Sequence, residues 1–187
     1  MTPTDVINLG LMMAGKDPVT NIDDTDTTSN RSRLVYHPLR DAILRDHFWN
    51  FAIARMALNQ NATPPTSGFA FGYKRDDLDL RVININEDLR IPWQIEGRDI
   101  VTNEVAVIAK YIQRVESPDL WDPLFLEMFA TLLGSRYALM FSHDAKFSLE
   151  LLQQYFLLKN DAQAVDGQEG AVTVYASTAL TTDLRDI

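Results

Sequence analysis

Apolar residues change their spacing along this chain, from helical to alternating and back to helical. Leu34, Val35, Leu39, Ala42 and Ile43 recur at helical intervals, with Arg40, Asp41, Arg45 and Asp46 between them. This pattern predicts a helix that begins near Ser29, is kinked at Pro38 and is closed by Phe48-Trp49-Asn50-Phe51-Ala52. Ahead of it, Thr2-Pro3 with Asp5 close behind predicts a short helix from Pro3 to Ala14 that stops at Gly15. The polar stretch from Asn21 to Asn30 reads as a loop ending in a choice of N-cap residues.

Asn59 to Gly68 is rich in proline, glycine and small polar residues and reads as an exposed loop. Between Phe69 and Gln113 the period becomes two, through Phe69, Phe71, Tyr73, then Leu80, Val82, Ile83, Ile85, then Trp93 and Ile95. Glu96-Gly97-Arg98-Asp99 predicts a hairpin turn in which Gly97 takes a positive φ. The expectation for 69–113 is one small antiparallel sheet inserted between helices.

Ser117-Pro118-Asp119 predicts a helix start with Ser117 as N-cap and a helix continuing to about Phe141. After a break at Ser142-His143-Asp144, a further helix is expected through about Ala164. Both helices carry apolar residues over far more than the roughly 100° stripe that a surface helix needs. A domain of this size does not easily bury two such helices, so the surplus predicts burial against other subunits. The bare pattern also fits a compact monomer. The fold class expected is therefore mainly α: a helix bundle over residues 1–166 with an inserted antiparallel sheet, followed by an extended C-terminal arm over 167–187.

Composition adds limits. The chain has 187 residues, 46% of them apolar, which suffices for one domain with a sizeable core. Without cysteine there is no disulfide framework, no thiol nucleophile and no thiolate metal site. The N-terminal residues lack the pattern of a signal peptide, and no run approaches the roughly 18 apolar residues of a membrane span, so a soluble chain outside the membrane is expected. A formal charge of −9 opposes tight binding to a polyanion. It is compatible with a surface past which DNA slides.

Candidate chemistry is thin. Asp24, Asp26 and Thr28 resemble the opening of a calcium loop, but Ser29 stands in place of the glycine and Val35 in place of the glutamate, so capping is the reading preferred. His37, His47 and His143 lack metal-ligand spacing, and Ser135 and Ser142 lack the glycines of a nucleophile elbow. No phosphate-binding glycine loop occurs. Asp76/Asp77, Asp119/Asp122 and Glu127 are the carboxylates available to an acid-base pair of a cell-wall hydrolase. No catalytic, cofactor or metal residue is nominated, and an enzyme is not expected.

Beyond Gly167 the segment from Ala171 to Thr178 is β-prone without helical period. It reads either as a disordered terminus or as an arm whose Val172, Val174 and Tyr175 dock on a partner as an added strand or strap.

Four stretches in a fixed order carry a resemblance: Leu9 to Val19; Leu39 to Ala52; Leu80-Arg81-Val82 with Ile95 to Asn103; and Tyr111 to Val115 through Asp122 to Phe125. Together they resemble the head-to-tail adaptor proteins of short-tailed bacteriophages, the family of tail tubular protein A and the tail accessory or head-completion factors beneath the portal. The chain departs from that pattern before Leu80, where members often show a proline and an aspartate after the strand tyrosine and Tyr73 here leads into Lys74 to Asp79.

The resemblance implies a virion protein at the head-tail junction, made in the host cytoplasm, that forms a ring of about twelve copies. Such a ring has the portal above it and a tail nozzle or tail tube protein below. Double-stranded DNA passes through its channel without specific binding, in genome retention and ejection. It implies no cofactor and no membrane partner. The arm, with Val172, Val174, Tyr175, Leu180 and Leu184, reaches the portal. Phe48, Trp49 and Phe51 act as a structural anchor, pinning the end of the second helix against the long helices. A virion-borne cell-wall hydrolase and a helical binding module unrelated to phage are the other classes carried forward.

Overall fold

A computed structural model of the chain describes residues 1–66 and 68–169. The described residues form four α-helices: α1 (Pro3–Met13), α2 (Thr27–Asp46), α3 (Pro123–Ser142) and α4 (Ala145–Gln168). Six strands lie between α2 and α3: β1 (Ile53–Leu58), β2 (Phe71–Lys74), β3 (Asp79–Ile85), β4 (Trp93–Glu96), β5 (Asp99–Thr102) and β6 (Val107–Gln113).

The described residues form a mixed α/β fold, 48% helical and 20% strand, and not a helix bundle with one inserted sheet. Two three-stranded antiparallel sheets form, the first in the order β1-β6-β3 and the second in the order β2-β5-β4. The expectation fails because the strands of 69–113 divide between two sheets, and because β1, which precedes the predicted insertion, pairs with β6 over its whole length, from Ile53 opposite Ile112 to Leu58 opposite Val107. Its sequence, Ile-Ala-Arg-Met-Ala-Leu, mixes small, charged and apolar residues without clean alternation, so its pairing partner defines it. The β4–β5 hairpin is as predicted, with Glu96 opposite Asp99 and Gly97 at φ 62°.

Two cores result, and the first sheet belongs to both. Ile53 and Ile112 join the main core with the helices. On the opposite face Ala54, Val107, Ala109 and Tyr111 meet Tyr73 and Ile100 of the second sheet in a smaller core. In the main core α1 and α3 pack at backbone distance: a Cβ on Gly10 would lie 2.8 Å from Leu133 Cβ, and one on Gly134 would lie 2.9 Å from Met13 Cβ. Bare backbone at both positions is what allows this approach.

Helix starts also differ from expectation. Asp26, three residues before Ser29, caps α2 by accepting from the N–H groups of Thr28 (2.8 Å) and Ser29 (3.0 Å). Ser29 is instead buried, its hydroxyl donating to Asn21 O at 3.0 Å. Ser117-Pro118 opens only a 3-10 turn (Pro118–Leu120), and α3 starts at the second proline, Pro123, with Asp122 as its cap. A helix running through Pro123 would clash there and lose a bond, whereas Pro123 at the first helical position costs nothing. Although α3 is long and apolar enough to cross a membrane, 61% of its most apolar stretch is buried inside the fold.

Candidate functional site

The aromatic segment after α2 does not close that helix. Asp46 is its last residue and His47 is extended; Phe48 and Trp49 then lead into a 3-10 turn (Asn50–Ala52) that delivers the chain to β1. Trp49 is 1% exposed, and its Nε1–H donates to Ile43 O at 3.1 Å. Its ring and that of Phe51 both meet Phe125 of α3 edge-on, each with centroids 5.0 Å apart. Trp121 and Phe129 complete the cluster around Phe125. Phe48 departs from its expected role: 43% exposed, it lies beneath the Arg81 guanidinium, 4.5 Å from the ring centroid. The anchor is therefore Trp49 and Phe51, with Phe48 as a surface contact to β3.

The same segment is fastened to the last turns of α4. Asp166, buried on α4, accepts from the Asn50 N–H at 2.9 Å through Oδ1 and faces His47 Nε2 at 3.2 Å through Oδ2. Asn50 Nδ2 donates to the Asp166 carbonyl at 2.6 Å. Lys159 of α4, about two turns before Asp166 on the same helix face, forms an ion pair with Asp46. Asp166 escapes the sequence reading because that reading ends the helix at Ala164; nothing in the residue pattern marks this one acid among many as buried.

Removing the Asp166 carboxylate strands the Asn50 N–H. Asp166→Ala is expected to lower unfolding free energy by about 1 to 3 kcal/mol, measured by urea denaturation, and to speed hydrogen exchange at the Asn50 amide. An unchanged exchange rate there would refute the clasp.

A second junction ties α2 to the sheets. Arg40, nearly buried, donates to Asp41 Oδ1 at 2.9 Å, and Arg114, just beyond β6, donates to Asp41 Oδ2 at 2.9 Å. One carboxylate thus bridges two guanidiniums, a partly buried network in which each charge has a partner.

The nominated carboxylates hold local structure. Asp122 caps α3, Asp119 accepts from the Ser117 hydroxyl, Asp77 pairs with Arg98, Asp76 accepts from the Leu78 N–H at 2.7 Å, and Glu127 is exposed on α3. Hydrogen bonds hold the carboxyl groups of Asp5, Asp26, Glu87, Asp88 and Asp119 below their ordinary range, Asp88 to about 2 through Arg90. For Asp119, the nominated carboxylate in this group, that direction is opposite to the raised value a general acid needs at neutral pH.

The three histidines stand apart in role: His47 in the clasp, His37 on the exposed face of α2, and His143 in the left-handed residue that ends α3. Partial desolvation of the ring against its neighbours, followed by the nearby Arg40 charge, depresses the His37 pKa. Among the described residues no group of three His, Asp or Glu is placed to hold a metal ion. Asp26 caps α2 through Oδ1, as the capping reading of this stretch expects.

A polar cleft of about 480 Å³ lies between the loop from Asn61 to Thr66 and the second sheet, bounded by Gly72, Glu96 and Asp99. Asn61 closes its floor by donating to Asp99 Oδ2 at 2.8 Å. The arm residues Val172, Val174, Tyr175, Leu180 and Leu184 lie outside the described residues. The end of α4 that precedes them is the part held by Asp166. The chain matches no protein-family model and no curated protein.

Proposed function

We propose that this chain is a structural subunit of a phage head-to-tail adaptor, a ring of about twelve copies that joins the portal to the tail and continues the DNA channel. The reading starts from the resemblance in its four ordered stretches. One structural observation supports it most. The longest of those stretches, Leu39 to Ala52, is bonded through His47 and Asn50 to Asp166, three residues before the last described residue, Glu169. An arm that follows α4 leaves from a point fixed to the body of the subunit, as an arm bearing load between two rings requires.

The Asp41 bridge adds to this, because it joins that same stretch, Leu39 to Ala52, to a second one, Tyr111 to Val115. The net charge of −9 suits a channel wall that does not retain DNA.

Portal binding is the direct test. Native mass measurement of the full chain with portal protein is expected to show a ring on the portal. Deleting 170–187 is expected to weaken that complex at least tenfold while leaving the melting temperature of the body unchanged. A chain that ignores the portal with its arm intact would overturn the reading.

A further inference from the structure

The two sheets present four edge strands, β1 and β3 in the first and β2 and β4 in the second. An edge strand offers a row of unpaired N–H and C=O groups to any extended chain. Three of the four are blunted. β3 carries register shifts at Asp79/Arg81 and Val82/Asn84, and the Arg75 and Arg45 guanidiniums take the carbonyls of Asp79 and Leu80. β2 is covered by the loop before it: the Asn61 N–H donates to Gly72 O at 2.8 Å, and Gln60 bridges to Tyr73. β4 is short, running only from Trp93 to Glu96 between Pro92 and the turn at Gly97.

β1 has none of these protections. It runs from Ile53 to Leu58 without a proline and holds one unbroken register with β6. Arg55, its one charge, is paired with Glu87. Every second residue of β1 turns its N–H and C=O away from β6. Among the described residues, no hydrogen bond joins the backbone of 54–58 to any other segment. Arg55, Met56 and Ala57 are exposed in succession. Successive side chains of a strand point to opposite faces, so three in a row are open where the strand has no lateral neighbour. Met56 lies opposite buried Ala109 on the face of the smaller core and is still 38% exposed.

This edge begins beside the end of α4. Asn50, three residues before β1, is bonded to both the carboxylate and the carbonyl of Asp166, and Glu169 is three residues further along the chain. Residues 170–187 follow, and after Gly170 they open with Ala171-Val172-Thr173-Val174-Tyr175-Ala176-Ser177-Thr178, a β-prone run with no charge and no proline. At about 3.3 Å per residue, β1 presents about 20 Å of edge and 171–178 span about 26 Å.

We propose that 171–178 adds to the open edge of β1 in its own copy, as a fourth strand running parallel to β1 from the Ile53 end to the Leu58 end. Main-chain hydrogen bonds supply the contact, as in strand addition between proteins. The tether sets the direction, since the segment enters beside Asn50 with only Gly170 to spare. Val172 and Val174 share one face of the segment and match the apolar side on which Met56 is open. The residues after Thr178, with Leu180 and Leu184, then leave from the far end of β1 and remain available to the portal. The inference goes beyond the ring reading and does not require it.

A strap held by the bonds of one strand opens below the temperature at which the two cores melt, so local amide exchange reads it and global melting does not. Exchange at 54–58 is measured by NMR, without portal protein, on the full chain and on full-length Val174→Pro, whose proline removes a donor and breaks the added strand. The β1 amides that face away from β6 are expected to exchange about tenfold faster in Val174→Pro, and those that face β6 at the same rate in both. Equal rates at the outward amides, whether fast or slow, would overturn the proposal. Isotope-labelled Val174→Pro mixed with unlabelled wild type tests which copy supplies the strand. Protection recovered on the labelled β1 would assign the strand to a neighbouring copy and overturn the contact within one.

Discussion

Trp49→Ala is expected to destabilise the chain by about 3 to 5 kcal/mol, the usual cost of deleting a fully buried large aromatic. Three losses combine. The indole leaves a cavity against Phe125, Phe51 and Ile43, in a core where α1 and α3 already touch at backbone distance and little relaxation is available. Its N–H bond to Ile43 O disappears, which exposes a helix carbonyl near the end of α2. The link that carries Asn50 toward Asp166 loses its fixed point as well. For a chain of this size the melting temperature should fall by about 10 °C, read by far-ultraviolet circular dichroism. A variant within 1 kcal/mol of wild type would remove Trp49 from the centre of the fold. Phe48→Ala, in contrast, alters an exposed cation–π contact and should cost about 0.5 to 1 kcal/mol.

That difference shows what the sequence makes legible and what it hides. Helix existence is readable wherever caps and period agree, as at Thr2-Pro3 or in the apolar run of α3. The boundary of α2 is not, because Asp26 and Ser29 are both good caps and only packing decides: Ser29 enters the core and Asp26 is left to cap. β1 is invisible because its partner, β6, is distant in the chain and its own residues carry no alternation. This hidden strand gives the β6–β3 pair its third strand, while β2, β5 and β4 form a sheet of their own. At the clasp, aromatic content marks Trp49 and Phe51, whereas Asp166 is an ordinary-looking helix acid whose burial depends on where α4 meets the 3-10 turn.

Phe125→Ala is the second large effect, again about 3 to 5 kcal/mol. Phe125 touches Trp49, Phe51 and Trp121 edge-on and stacks on Phe129 at 6.1 Å. Its ring links the clasp to Trp121 in the turn entering α3. Edge-to-face pairs contribute about 0.5 to 1.5 kcal/mol beyond buried area. A double-mutant cycle of Trp49→Ala with Phe125→Ala should therefore return a coupling of about 1 kcal/mol, the double variant losing less than the sum. Additive losses would mean that the two rings share a cavity wall but no direct interaction.

The first sheet has a consequence for how the chain acquires its structure. It supplies a wall to both cores, and its central pairing joins β1 to β6 across the whole sequence of the intervening strands. Closing that long loop carries an entropic cost that is recovered only once the pairing forms. Folding should therefore be governed by this distant contact, slowly for a chain so rich in helix. On the ribosome, α1, α2 and β1 must wait for β6 to emerge before either core can close, so no N-terminal fragment ending before β6 should hold a native structure.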